Sequence, residues 1–102
     1  MFAVNVDKQN FQAEVLNSEK PVLVDVWAPW CGPCRRVVPL VEEIAQERPD
    51  VKVVKINVDE QPELAVEYGV MSIPMLMVME NGKVVRKAAG ARPKQAILGL
   101  LA

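Results

Sequence analysis

Two cysteines, Cys31 and Cys34, stand three positions apart in a chain of 102 residues that contains no histidine. The missing histidine removes Ser-His and Cys-His nucleophile pairs, histidine zinc sites and imidazole acid-base catalysis together. What remains is the chemistry of sulfur, carboxylate and amine. One Cys-X-X-Cys pair cannot make the several bridges that hold small secreted domains together, so a catalytic or metal-binding pair is the better reading. Tetrahedral zinc needs four ligands, and only a dimer sharing two pairs would supply them. Two inert core thiols is the plainest alternative. If the pair instead opens a helix, Cys31 meets unpaired backbone donors and the positive end of the helix dipole, which favour thiolate. Cys34 then lies on the same helix face, pointing inward, with the Cα atoms about 5 Å apart, a separation a disulfide accepts. Cys31 is the expected attacking sulfur and Cys34 the resolving one, displacing a captured partner from the mixed disulfide.

The neighbouring residues fit that chemistry. Gly32 has no side chain to obstruct a bulky partner, and Pro33 fixes the first helical turn where its missing donor is spare. Neither donates a side-chain hydrogen bond to Cys31, which points to a reducing rather than an oxidising couple. Asp25 is the one carboxylate in the apolar run Val22 to Trp27. Burial would disfavour its ionised form, so it could accept the proton Cys34 must lose; the alternative is a strand-end carboxylate with water or a helix cap for a partner. Lys55 is either the partner charge of Asp25 or a solvated strand lysine. Arg35 and Arg36 either add positive charge beside the thiolate or sit solvated on the outer helix face. Trp27 is expected in the core and Trp30 at a partner-facing rim. The Ile73-Pro74 bond, taken alone, is expected to be trans.

These residues need a scaffold, and apolar periodicity outlines one. A short strand over 2–5 precedes a helix over 7–18 with Asp7 as N-cap and Phe11 and Val15 on one face. Residues 22–27 are apolar on both faces apart from Asp25, as a central parallel strand covered by helices would be. Over 31–48, Cys34, Val37, Val38, Val41, Ile44 and Ala45 recur at helical spacing, with Glu42 among the residues turned to water and Pro39 a place for a kink. A strand over 51–58 sets Val54, Ile56 and Val58 on one face and Val53, Lys55 and Asn57 on the other. Pro62 and Gly69 bracket a short helix through Leu64, Val66 and Tyr68. Strands over 75–79 and 84–89 flank Asn81-Gly82, a hairpin dipeptide, and Pro93 opens a last helix through Ile97, Leu98 and Leu101. Met71, Met75, Met77 and Met79 are expected mainly as core filler. The order predicts a mixed sheet between two layers of helices, with the cysteines at the carboxyl end of a parallel strand.

Composition excludes other functions. Twelve basic and 13 acidic residues are interspersed for a net charge of -1, so no basic stripe exists to neutralise a run of phosphates, and nucleic acid is not an expected partner. No apolar stretch approaches the roughly 20 residues of a membrane helix, and the amino terminus lacks the pattern of a secretory signal, so a cytoplasmic protein is expected. Residues 1–102 are expected to form a single domain.

The segment Trp27-Ala28-Pro29-Trp30-Cys31-Gly32-Pro33-Cys34 resembles the active-site signature of the thioredoxin family. The likeness extends to Val24-Asp25, Lys55 to Asp59, Tyr68-Gly69-Val70, Ser72-Ile73-Pro74 and Asn81-Gly82. It implies a thioredoxin-like α/β fold, a three-layer α/β/α sandwich with a central mixed five-stranded sheet and about four flanking helices. It further implies a protein-disulfide reductase with Cys31 as nucleophile, Cys34 as resolving thiol, Asp25 as buried proton acceptor and Lys55 as its electrostatic neighbour. A cis bond before Pro74 is implied too, against the expectation above, with Trp30, Gly32, Pro33, Ile73, Pro74 and Gly90 lining a surface where an extended substrate pairs with backbone. No bound cofactor is implied. Reducing equivalents would come from NADPH through thioredoxin reductase, to a monomer that passes them to disulfide-containing proteins. Val26, Arg36 and Met75 depart from the usual pattern, which bears on partner preference more than on chemistry. A binding module without turnover and an oxidase or isomerase are the competing functions.

Overall fold

Successive apolar runs in the chain become the strands of one sheet in the computed structural model, which describes residues 2–102; of the expected span 1–102, Met1 lies outside the described residues. The strands are β1 (Val4–Asn5), β2 (Val22–Trp27), β3 (Lys52–Asn57), β4 (Met75–Glu80) and β5 (Lys83–Ala89), in the order β1-β3-β2-β4-β5. The pairs β1·β3 and β2·β3 are parallel, whereas β2·β4 and β4·β5 are antiparallel, so the sheet is mixed as expected. Helices α1 (Gly32–Glu47), α2 (Pro62–Glu67) and α3 (Lys94–Leu100) flank it with a π-helix at Gln12–Leu16. Alternation along the strands divides the core in two. Val22, Val24, Val26, Val54, Ile56, Met75, Met77 and Met79 pack with Phe11, Val15 and Leu64 on one face. Leu23, Val53, Leu76 and Val78 pack with Val37, Val41, Ile44 and Ile97 on the other. Strand β2 is therefore covered on both faces and paired on both edges, which makes its carboxyl end a rigid platform. No described helix is long and apolar enough to cross a membrane.

Three expectations need correction, for residues 7–18, Met71 and Glu42. Residues 7–18 start as a helical segment with Asp7 as its cap, but its body over Gln12–Leu16 is a π-helix. The Asp7 carboxylate accepts from the Gln9 and Asn10 amides at 2.8 and 2.9 Å, and the Asn10 side chain accepts from the Asp7 amide at 2.7 Å, a reciprocal cap of the expected kind. The Phe11 amide then reaches the Asp7 carbonyl at 3.0 Å, one turn on. The wider coil that follows, with the Asn17 amide on the Gln12 carbonyl at 2.8 Å, still buries Phe11 and Val15. Val66 is 81% exposed, since it lies two residues, or roughly 200° of helix, from the buried Leu64. Met71 is 91% exposed, because strand alternation begins only at Met75. Glu42 does not simply face water; its carboxylate accepts from the Ala3 amide at 2.6 Å and ties the start of the chain to α1.

Helix α1 continues through Pro39 and ends at Arg48, whose amide reaches the Ile44 carbonyl at 2.8 Å. The β4-β5 hairpin turns on Asn81 and Gly82 with φ of 55° and 78°, two successive left-handed residues that match the twist of the paired strands. Replacing Gly82 with alanine puts a Cβ into that backbone region beside the Leu16 carbonyl. Gly82→Ala is expected to lower stability by about 1–2 kcal/mol, seen as a lower urea midpoint at unchanged slope.

Candidate active site

The chain leaves β2 at Trp27 and turns through Ala28, whose carbonyl accepts from the Cys31 amide at 3.1 Å. Cys31 keeps extended backbone, with φ -88° and ψ 111°, and is the N-cap of α1 rather than its first-turn residue. Its sulfur accepts from the Cys34 amide at 3.2 Å, taking up one of the donors a helix start leaves free. The same geometry supports negative charge on Cys31 when the pair is reduced. Pro33 sits in the first turn, where no backbone donor is lost.

Cys31 and Cys34 are joined as a disulfide with Cα atoms 5.2 Å apart. Both sulfurs thus face each other, which disposes of the zinc half-site and inert-thiol alternatives. Burial separates them. Cys31 keeps 6% of its surface and Cys34 none, and both pack against Ala28, Trp27, Val58 and Ile73. Trp30 is 67% exposed beside them, its indole Nε1 donating to both Asp59 oxygens at 3.1 and 3.0 Å. Asp59 is in turn placed by its amide on the Asn57 side chain at 2.9 Å. The role of Asp59 was not legible from residue type, since an exposed aspartate past a strand end is ordinary. Trp27 is half-buried, and Arg35 and Arg36 are exposed.

Asp25 lies fully buried on the same sheet face as Leu23 and α1. Neither of its oxygens has a hydrogen-bond partner among the described residues, and Asp25 lies inside β2 rather than at its end. Lys55 stands directly opposite it in the parallel register and is buried as well, with its ammonium 5.9 Å from the centre of the Trp27 ring. Burial raises Asp25 from its ordinary 3.8 to about 7, and the positive charge of Lys55 acts against that rise. A buried carboxyl of this kind exchanges its proton near neutral pH.

The Ile73-Pro74 bond is cis, as the family resemblance implied and against the expectation for the bond alone. The Pro74 carbonyl accepts from the Gly90 amide at 2.8 Å, which draws the end of β5 against this turn. Ile73, by contrast, makes no backbone hydrogen bond among the described residues, leaving its N–H and C=O available to an added strand. Around it, Pro33 is exposed, Gly32 and Gly90 are half-buried, and Pro74 itself is buried.

A helix-capping cysteine closed on a buried one, beside a cis-proline turn at the carboxyl end of a central strand, narrows the possible relatives, and comparison identifies them. The family model described as Thioredoxin matches residues 2–102. The chain belongs to the thioredoxin family. It is 52% identical to thioredoxin of Streptomyces clavuligerus over 94 residues, covering 92% of this chain and 88% of the relative. It is 53% identical to thioredoxin 1 of Synechococcus elongatus over 100 residues, covering 97% and 94%. Bacillus subtilis thioredoxin is 50% identical over 102 residues, covering 99% and 96%. The architecture is the thioredoxin fold, and the enzyme class is thiol-disulfide oxidoreductase.

For a thioredoxin-family protein with this Asp25, the sign of the pH dependence follows from the raised value. Between about 4 and about 7 the folded chain keeps a proton on Asp25 that the unfolded chain releases. The stability this proton supports is full below about 4 and lost as pH rises through about 7. At roughly 1.4 kcal/mol per pH unit, the difference reaches about 4 kcal/mol. Asp25→Asn is therefore expected to match the parent near pH 4 and to exceed it by several kcal/mol at pH 8, measured by denaturant unfolding of the oxidised proteins. A constant difference across that range would contradict the assignment.

Proposed function

We propose that the protein reduces disulfides in other proteins through Cys31 and Cys34, with the joined pair as the oxidised product of each cycle. The observation that carries this reading is the asymmetry of the pair: one sulfur at the helix tip with an edge in solvent, the other sealed beneath it. Cys31 thiolate attacks a substrate sulfur, forming a mixed disulfide and releasing the first substrate thiolate, which takes a proton from water. Cys34 gives its proton to Asp25 and attacks Cys31, closing the internal disulfide and releasing the second substrate thiolate, which takes a proton from water while Asp25 returns its own to solvent. Two electrons pass from the dithiol to the substrate. Because the second step is intramolecular, it gains from high effective concentration and limits the lifetime of the captured complex.

Lys55 acts in this account as the charge that keeps ionised Asp25 tolerable inside the sheet. The free backbone of Ile73 offers a short strand addition that depends little on substrate sequence, with Trp30, Gly32, Pro33, Pro74 and Gly90 around it. A dithiol consumed in each cycle needs a two-electron donor, for which thioredoxin reductase fed by NADPH is the proposed source. A pair that must be reduced before it can attack belongs where thiols are kept reduced, hence a cytoplasmic location. All reacting groups come from one chain over residues 1–102, in keeping with a monomer that works as a single domain.

Reduction of insulin by dithiothreitol tests the reading. The parent protein is expected to accelerate it strongly, and Cys31→Ser to return the rate to the uncatalysed background. Cys34→Ser is expected to retain the attack but accumulate a mixed disulfide through Cys31, visible as an added substrate mass that reductant removes. Full activity in Cys31→Ser would overturn the mechanism.

A further inference from the structure

Beside the cysteines, α1 and the segment between β5 and α3 enclose an open groove of about 340 Å³ lined by Arg36, Val37, Leu40, Ala91, Arg92 and Pro93. Leu40, Ala91 and Pro93 give it apolar surface over the buried Val37, and one arginine belongs to each of the two opposing walls, Arg36 to α1 and Arg92 to the segment before α3. It adjoins the docking surface from both sides. Arg36 follows Cys34 by two residues, roughly 7 Å along the helix axis from Cys31. Gly90, held on the Pro74 carbonyl at 2.8 Å, leads directly into Ala91 and Arg92.

The positive charge in this groove has no internal counterpart. Among the described residues, neither Arg36 nor Arg92 forms a salt bridge. The Arg92 guanidinium donates to the Ala89 carbonyl at 2.7 Å and the Gly90 carbonyl at 3.4 Å, contacts that position it without opposing its charge. The acidic residues of α1 are engaged elsewhere. Glu42 accepts from the Ala3 amide at 2.6 Å, while Glu43 and Glu47 both take Lys94, at 3.0 and 2.7 Å. Lys94 thus absorbs the carboxylates that α1 presents to α3, and two arginines remain over an apolar trough next to the reactive sulfur. With a net charge of -1, the chain has no general basicity to explain this patch.

Guanidinium groups pair with carboxylates in forked geometry, and the apolar base suits the methylene stem of an acidic side chain. We propose that this groove receives an Asp or Glu carried by the disulfide substrate close to the cysteine under attack, so that the protein prefers disulfides with acidic flanks. The inference rests on the exchange reaction proposed above. An extended segment advances about 3.3 Å per residue, so about two to four residues span the distance from the attacked sulfur to the groove.

Three disulfide-bridged peptides test this, identical except for Glu, Gln or Lys at the positions two to four residues from the cysteine. The full-length protein, reduced beforehand, is mixed with each, and second-order rate constants are measured at low and high salt. The Glu peptide is expected to react about three- to tenfold faster than the Gln peptide at low ionic strength, with the gap shrinking toward unity near 0.5 M salt, as screening of exposed charges requires, and the Lys peptide slowest. The quantity compared is the Glu-to-Gln ratio within each protein, in which any change in thiolate reactivity common to all peptides cancels. Arg36→Gln with Arg92→Gln is expected to bring that ratio close to one, and Arg36→Glu with Arg92→Glu to invert it. Equal rates for the three peptides, or an undiminished preference in the doubly neutralised protein, would overturn the groove assignment alone. No reaction with any peptide would overturn the exchange mechanism and this preference with it.

Discussion

The Cys34 amide, directed at the Cys31 sulfur across 3.2 Å, is the contact on which the chemistry of this protein turns. It exists because Cys31 remains extended while the chain is already winding into α1, so a free donor of the first helical turn finds a sulfur instead of water. The fold invests heavily in that position. β2, which delivers the chain to the turn, is paired on both edges and covered on both faces, and the Ala28 carbonyl holds the Cys31 amide from below. A loop anchored so closely to a central strand can hold two sulfurs in register through repeated making and breaking of the bond between them.

The same central strand carries the burden that makes the site work. Asp25 lies without a protein hydrogen-bond partner in an apolar layer, a state that disfavours its charge and lifts its proton affinity toward neutral pH. Lys55, its register partner, offsets part of that penalty. A stability cost is thereby retained in the core at the point where the proposed mechanism takes a proton from a sealed thiol, and the rest of the sheet must be stable enough to tolerate it. Outside this pair the core is apolar and divided cleanly between the two sheet faces.

Much of this was legible in the residues themselves. A continuous apolar run over 22–27, alternation over 51–58 and a period of 3.6 over 31–48 located the central strands and long helix to within a residue or so. Asn81-Gly82 announced its hairpin through the positive φ both residues tolerate. The cysteine spacing alone foretold a pair able to close. Asp7 caps the first helical segment as its type suggested, but apolar spacing does not distinguish α from π winding, and Gln12–Leu16 coils as a π-helix. Met71 was assigned inward by hydrophobicity, yet the turn before β4 has no alternation to impose. The cis bond at Pro74 came from family likeness and not from the dipeptide, which alone favours trans. Asp59, which steadies the exposed Trp30, carried no signal in its type or spacing.

Unequal sulfur environments are the centre of the account, and competitive alkylation of the reduced protein measures them most directly. Limiting iodoacetamide at near-neutral pH, followed by mass-spectrometric assignment of the modified cysteine, is expected to label Cys31 at least tenfold faster than Cys34. Comparable rates at the two positions, or faster labelling of Cys34, would contradict the division of roles between them.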